Sequence, residues 1–295
     1  MRGRARQGGG GVVGSSALDV VRDVEGELDA AGVPSPRVDA EFLVAHAAES
    51  SRSGLYAAEA LDRRQLARLR PLVERRVRRE PLAYVLGEWG FRRLTLRVDP
   101  RVLVPRPETE TVVERCLALL ADVEEPHVLE IGVGSGAIAL ALADEHPGAR
   151  VVAIDRSPAA LALARVNIEQ AKVDGRVELV QGDLLADLPG PFNLVVSNPP
   201  YVHPNELEAL QPEIRLYEPR EALVGEGVGE EIARRALAVL RPGGWIVLEC
   251  AEQRADGVAA ALTGLGYEGV VVSADLSGRP RVVEGRRAQH YNRRP

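Results

Sequence analysis

Beyond Pro107 the chain alternates short apolar runs with helical patterns, and this alternation limits the folds open to it more than any other feature. Strands are expected at residues 127 to 131, 150 to 154, 177 to 181, 192 to 197, 244 to 249, 267 to 273 and 280 to 286. Helical periodicity fills most of the gaps, at 107 to 121, 136 to 144, 158 to 171, 228 to 240 and 252 to 264. Strands joined through helices lie parallel, and the crossover helices cover both faces of the sheet. The last two runs have no helix between them and are expected to pair antiparallel. The fold class is therefore α/β, a Rossmann-like, mostly parallel seven-stranded sheet with an antiparallel last strand.

Upstream the pattern changes. Residues 1 to 14 are rich in Gly and Arg without periodicity, which predicts a disordered tail. Residues 15 to 80 read as a small helical domain. Ser16 and Asp19 make a capping-box pair ahead of Leu18, Val21, Val24 and Leu28 at helical spacing. Ser35 and Pro36 open a second helix, with Val38, Phe42, Leu43 and Ala45 for its buried side. Asp62 and Gln65 open a third, which Pro71 is expected to kink or divide. Helices this short are stable only when packed together. Residues 81 to 104 read as a connector in which Leu94, Leu96 and Val98 alternate as in a β-hairpin, and residues 105 to 295 hold the α/β domain.

Composition excludes several function classes. No apolar stretch approaches the roughly 18 residues that a membrane span needs, and the basic start Met1 to Arg6 runs into Gly8 to Gly11 rather than an apolar signal core. The cytoplasm is the expected compartment, with no membrane partner. Cys116 and Cys250 lie in helical and strand-like patterns and are expected to be buried thiols rather than a disulfide or zinc framework. His46, His127, His146, His203 and His290 show no ligand spacing, so no metal is implied. Net charge is -6, and Lys172 is the single lysine among many arginines. That balance argues against a direct nucleic-acid partner, because such binders carry a basic face. The one basic run, Arg75-Arg76-Val77-Arg78-Arg79, reads as the solvated side of a helix. A monomer is expected.

Chemistry gathers at successive strand ends. Val128-Leu129-Glu130-Ile131 runs directly into Gly132-Val133-Gly134-Ser135-Gly136, ahead of a helix at Ala137. Glycines let the backbone turn tightly and let a ligand approach it. A dinucleotide fingerprint would read G-x-G-x-x-G, whereas these glycines alternate, a spacing that resembles the S-adenosylmethionine loop of class I methyltransferases. The second strand ends in Asp155, where a carboxylate can accept from both ribose hydroxyls of an adenosine. Ser157, followed by Pro158, is the better N-cap for the next helix. The third strand ends in Gly182-Asp183-Leu184, where Asp183 can accept from an adenine amino group and Leu184 can cover the ring; a turn aspartate is the other reading.

The fourth strand ends in Asn198-Pro199-Pro200-Tyr201. Two prolines stiffen the backbone, leaving the Asn198 and Pro199 carbonyls as acceptors beside the Asn198 side-chain amide. Tyr201 adds a flat face. The four residues form a clamp for a planar NH2 group, either an amide or an aromatic amine.

With this motif in place the chain resembles the HemK/PrmC family, the protein-(glutamine-N5) methyltransferases that modify bacterial peptide release factors. The likeness extends from about residue 16 to about residue 286 and includes Pro81 to Gly87, Val104 to Glu110, the Gly132 to Gly136 loop and Glu218-Pro219-Arg220. Arg106 to Glu110 is the discriminating stretch, since the clamp is shared with adenine and cytosine amino-methyltransferases of DNA and RNA. Glu130 and Val133 stand where the family usually has Asp and Thr, Ala222 to Gly227 lacks an expected aspartate, and Cys250-Ala251 replaces a glycine-containing pair.

The resemblance implies S-adenosyl-L-methionine as cofactor, bound by Gly132, Val133, Gly134, Ser135, Gly136, Asp155, Asp183, Leu184 and Asn198. It implies as substrate the glutamine of a Gly-Gly-Gln segment in peptide chain release factors 1 and 2, held and activated by Asn198, Pro199, Pro200 and Tyr201, with the helical domain docking the release factor. It also sets Arg106, Glu108 and Glu110 near the site entrance, although Pro107 and acidic residues in a first helical turn satisfy the macrodipole without any further role.

An amide nitrogen is a poor nucleophile because its lone pair is delocalised into the carbonyl. Acceptors fixed around the NH2 group favour a geometry that frees that pair and stabilise the charge that grows on nitrogen. A nucleic-acid amino-methyltransferase acting on adenine N6, cytosine N4 or guanine N2 is the rival reading; it needs a basic cleft and room for a flipped base. A non-catalytic relative that binds the cofactor or a translation factor is a third, and the intact loop and clamp speak against it.

Overall fold

The computed structural model describes residues 16–57, 60–173, 175–183 and 190–289. The tail at 1 to 14, Leu184 and His290 lie outside them. Among the described residues no helix is long and apolar enough to cross a membrane. The chain divides into two compact units, Met1–Leu86 and Gly87–Pro295. Residues 81 to 86 therefore go with the helices and the hairpin residues with the sheet.

In the first unit, α1 (Ala17–Ala30) starts in the expected capping box: Ser16 Oγ accepts from the Asp19 N–H, and the Asp19 carboxylate accepts from the Ser16 N–H. The second helix, α2 (Pro36–Ala48), buries Leu43, Val44 and Ala45, but Val38 is 41% exposed and Asp39 and Glu41 take the inward positions. Polar groups go inside here because they find partners. Glu41 accepts from Arg37 at 2.9 Å, Arg52 at 2.6 Å and the Tyr56 hydroxyl at 3.1 Å. These donors, Arg52 foremost, hold its carboxyl below the usual glutamate range.

The third helix, α3 (Arg63–Val77), opens in an Asp62–Gln65 capping box and runs unbroken through Pro71. Its basic run is a solvated face only in part, at the exposed Arg78. Arg76 is 4% exposed and donates to Asp39 at 2.7 Å, and Arg75 holds Glu80 and the carbonyls of Tyr84 and Val85 within α4 (Leu82–Leu86). Arginines that read as surface charge thus bind the helical unit together.

The second unit opens with a hairpin, β1 (Glu88–Phe91) and β2 (Leu94–Arg97), and then α5 (Thr109–Leu120). There follow β3 (His127–Ile131), α6 (Ala137–Glu145), β4 (Arg150–Asp155), α7 (Pro158–Ala171), β5 (Val177–Gln181) and β6 (Phe192–Ser197). Two short helices the periodicity did not reveal, α8 (Pro212–Tyr217) and α9 (Arg220–Leu223), lead to α10 (Val228–Val239), β7 (Leu240–Glu249), α11 (Ala255–Gly264), β8 (Tyr267–Ala274) and β9 (Pro280–Arg287).

The strands form one sheet in the order β5-β4-β3-β6-β7-β9-β8. Neighbours from β5 to β7 are parallel, and β9 runs antiparallel to both β7 and β8. Side chains alternate between two cores, as the two-residue period of a strand dictates. Val128, Leu194, Val196 and Val247 face α5, α6 and α7, while Leu129, Val195, Ile246 and Leu248 face α10 and α11. The hairpin adds Phe91 and Leu96 to the first core. Asn167 of α7 accepts from the Arg97 N–H at 2.7 Å and donates to the Arg97 carbonyl at 3.0 Å, satisfying the backbone at the end of β2. Cys116 and Cys250 are buried free thiols, as expected.

Candidate active site

The strands β3 and β6 are neighbours although β4 and β5 lie between them in the chain. Strand order reverses at this point, and in open α/β sheets a crevice forms beyond the carboxyl ends of the strands there. A cavity of about 380 Å³ fills that position, lined by the loops after β3, β4, β5 and β6, by the segment from Arg101 to Arg106 and by Thr109.

Gly132, Gly134 and Gly136 have φ of 79°, 53° and 86°. Each occupies the left-handed region that glycine enters without a steric penalty, so the alternating spacing is a conformational requirement. A Cβ on Gly132 or Gly134 would meet nothing within 4 Å, which leaves that backbone open to a ligand, whereas one on Gly136 would lie 3.1 Å from Leu140. Gly132, Val133, Gly134 and Ser135 line the cavity, and Gly136 sits behind them as the residue before α6.

Asp155 braces this loop and the next helix together. One carboxylate oxygen accepts from the Gly134 N–H at 3.0 Å and the other from the Ser157 N–H at 2.9 Å. Each oxygen has a further lone pair, and the residue lines the cavity. Ser157 caps α7 as expected, accepting from the Ala160 N–H. Asp183 lines the cavity from the end of β5.

The clamp is tied to the glycine loop at its root, because Ser197 Oγ donates to the Ile131 carbonyl at 2.7 Å. Asn198, Pro199 and Pro200 face the cavity. Tyr201 lies past the prolines and lines a smaller adjoining space of about 30 Å³ that Pro199 and Pro200 also border. Burial pushes its hydroxyl up to about 12. The chain beyond is pinned where the Val202 N–H donates to the Leu223 carbonyl and the Gly225 N–H to the Val202 carbonyl. Gly225 packs so closely that a Cβ there would lie 2.6 Å from the Pro200 carbonyl oxygen.

Two of the three undecided residues have structural partners. Arg106 donates to both oxygens of Glu218 at 2.7 Å, joining the two stretches Arg106–Glu110 and Glu218–Arg220 across the crevice. The Glu218 side chain is wholly buried, and burial still holds its carboxyl above the usual range despite the guanidinium. Glu110 accepts from the Arg92 N–H at 2.9 Å and so holds the hairpin turn. Glu130, buried and lining the cavity, accepts from the Ala139 N–H at 2.9 Å, and burial raises its carboxyl well above 4.5.

Sequence reasoning missed Thr109 and Glu249. Thr109 is buried at the start of α5, and its hydroxyl donates to the Glu249 carboxylate at 2.7 Å. The Asn198 side-chain N–H donates in turn to Thr109 Oγ1 at 3.3 Å. Glu249 ends β7, and burial pushes it up to about 7 although Thr109 and Arg281 favour its charged form. A carboxylate closing the apolar run Trp245 to Leu248 was the available signal.

A family model described as methyltransferase small domain matches residues 113–255, and one described as PrmC N-terminal domain matches residues 19–87. The release factor glutamine methyltransferase of Deinococcus radiodurans is 43% identical over 92% of this chain and 98% of its own length. The human MTRF1L release factor glutamine methyltransferase is 37% identical over 93% of this chain and 88% of its own. Among solved structures, the hMettl16 catalytic domain, in complex with the MAT2A 3'UTR hairpin 6, matches with a TM-score of 0.52 at 17% identity, over 67% of this chain and 76% of that one. This last likeness is one of fold alone.

Proposed function

The chain belongs to the release factor glutamine methyltransferase family, and from that premise we propose that it methylates the side-chain amide nitrogen of the Gly-Gly-Gln glutamine in peptide chain release factors 1 and 2. The observation that carries the proposal is the meeting, in one crevice, of a loop of left-handed glycines with the proline-stiffened turn at Asn198. S-adenosyl-L-methionine is the cofactor of this reading, and it fits the donor set: open backbone at Gly132 and Gly134, and a carboxylate with spare lone pairs at Asp155. Gly132, Val133, Gly134 and Ser135 would hold it together with Asp155 and Asp183; Gly136 acts by shaping the loop. When bound, the cofactor supplies an electrophilic methyl group on a sulfonium.

The rest belongs to the chain. The Asn198 side-chain oxygen and the Pro199 carbonyl accept from the substrate NH2 group, turn its lone pair toward the cavity and stabilise the positive charge that develops on nitrogen. Acceptors held on a rigid turn need no reorganisation as that charge grows, whereas water would. No strong base is needed, since an N-methylated amidium is acidic and releases its proton readily. Pro200 and Tyr201 shape the approach to the turn. Residues 15–80 dock the release factor, and the protein acts as a cytoplasmic monomer without a nucleic-acid partner.

The test separates binding from turnover. Asn198→Ala is expected to abolish methyl transfer while leaving cofactor affinity within a few-fold, because the lost acceptor acts mainly in the transition state. Near-normal turnover in that variant removes the clamp from the mechanism.

A further inference from the structure

We propose that Thr109 and Glu249 are positioning residues that fix the orientation of the Asn198 carboxamide, so that its oxygen and not its NH2 group is turned to the substrate. The inference rests on the preceding reading of Asn198 as an acceptor for the methyl-accepting amide.

A carboxamide is nearly symmetric in shape but opposite in polarity at its two ends, and an Asn198 turned the wrong way would offer donors to a substrate NH2 that needs acceptors. The choice is settled by proton counting. An ionised Glu249 can only accept, and a threonine hydroxyl has one proton. That proton goes to Glu249 across 2.7 Å, so Thr109 Oγ1 has only lone pairs left on the side toward Asn198. Asn198 must meet them with its NH2 group, as it does at 3.3 Å. The side-chain oxygen is thereby directed away from Thr109. Thr109 is 4% exposed and Glu249 2%, so water has little access to compete for either bond.

The polarity of this chain of bonds depends on the charge of Glu249. A protonated Glu249 can donate to Thr109, which frees the threonine proton for the Asn198 oxygen and reverses the carboxamide. The groups facing Glu249 are Thr109 at the start of α5, Arg106 and Glu108 just before it, Tyr201 after β6 and Arg281 on β9, with Cys250 adjoining. Burial already holds the carboxyl near neutrality.

The experiment uses the full chain, S-adenosyl-L-methionine and purified release factor, with kcat, KM, cofactor Kd and melting temperature measured for the wild type, Thr109→Val, Thr109→Ser and Glu249→Gln. Thr109→Val keeps the shape and removes the hydroxyl; kcat is expected to fall roughly tenfold, equal to about 1.4 kcal/mol, with cofactor Kd within twofold. Thr109→Ser restores kcat to within about threefold of the wild type. Glu249→Gln, which can either donate or accept, also lowers kcat, and it tests the pair independently should Thr109→Val not fold. The wild-type kcat declines on the acid side of neutrality, and both Thr109→Val and Glu249→Gln lose that limb. Undiminished kcat in Thr109→Val or Glu249→Gln, or a serine variant as impaired as the valine one, overturns the assignment while leaving the clamp in place. A wild-type protein that methylates no glutamine overturns both.

Discussion

Replacing Glu249 by glutamine is expected to stabilise the larger unit above neutral pH even as it slows turnover. The Glu249 carboxyl is held at about 7 in the fold against an ordinary value of 4.5, chiefly by burial. Between those two values the folded chain keeps a proton that the unfolded chain has released. Stability therefore falls as pH rises through that window, because the folded state binds more protons there. At about 1.36 kcal/mol per pH unit the full penalty is about 3 kcal/mol above pH 7. Glutamine occupies the same space and carries no such penalty. The other raised carboxyls, Glu130 and Glu218, are present in both proteins and cancel in the difference. Both tryptophans, Trp89 and Trp245, lie in the larger unit, so their fluorescence follows its unfolding. Urea unfolding from pH 5 to pH 8 is expected to show the variant gaining about 2.5 kcal/mol on the wild type across that range, with most of the gain between pH 5 and 7. A pH-independent difference would show that Glu249 ionises like an exposed glutamate, and the account of its burial would be wrong.

Three further outcomes are expected. Asp155→Ala should weaken S-adenosyl-L-methionine binding by about 1 to 3 kcal/mol, the range for lost hydrogen bonds to a charged group; calorimetry returning an unchanged affinity would exclude a ribose contact. Gly225→Ala sets a Cβ 2.6 Å from the Pro200 carbonyl oxygen and displaces the clamp, so kcat should drop tenfold or more with cofactor Kd within a few-fold, and unimpaired kcat would refute the close-packing role. Arg106→Met leaves Glu218 buried without its guanidinium and should cost about 3 to 5 kcal/mol at pH 8, most of it regained in Arg106→Met with Glu218→Leu; equal losses in single and double variants by urea unfolding would count against the pair.

Much of the sheet was legible because period-two and period-3.6 patterns are local. The strands at 127–131, 177–181 and 192–197 fall where the apolar runs placed them. The last strand before α11 begins at Leu240 instead of residue 244: Leu240 pairs with Phe192 and Trp245 with Leu194 of β6, and Arg241 to Gly244, which carry no apolar signal, fall in the register shift between them. The helices between Pro204 and Leu223 are too short to show a period. At the crevice, the placing of the glycine loop, Asp155 and the turn Asn198 to Pro200 together was legible because each lies at a strand end. Thr109 and Glu249 were not, since their bond joins positions 140 residues apart. Arg76 misled for the same reason: its carboxylate partner Asp39 lies 37 residues away, and a run of arginines shows nothing of what it folds against.

The placement of the transferred methyl tests the whole account most directly. Purified protein, methyl-labelled S-adenosyl-L-methionine and purified release factors 1 and 2 are combined, and tandem mass spectrometry locates the label. One methyl on the side-chain amide nitrogen of the Gly-Gly-Gln glutamine is the predicted result; label on another residue, on DNA or RNA alone, or nowhere would contradict it.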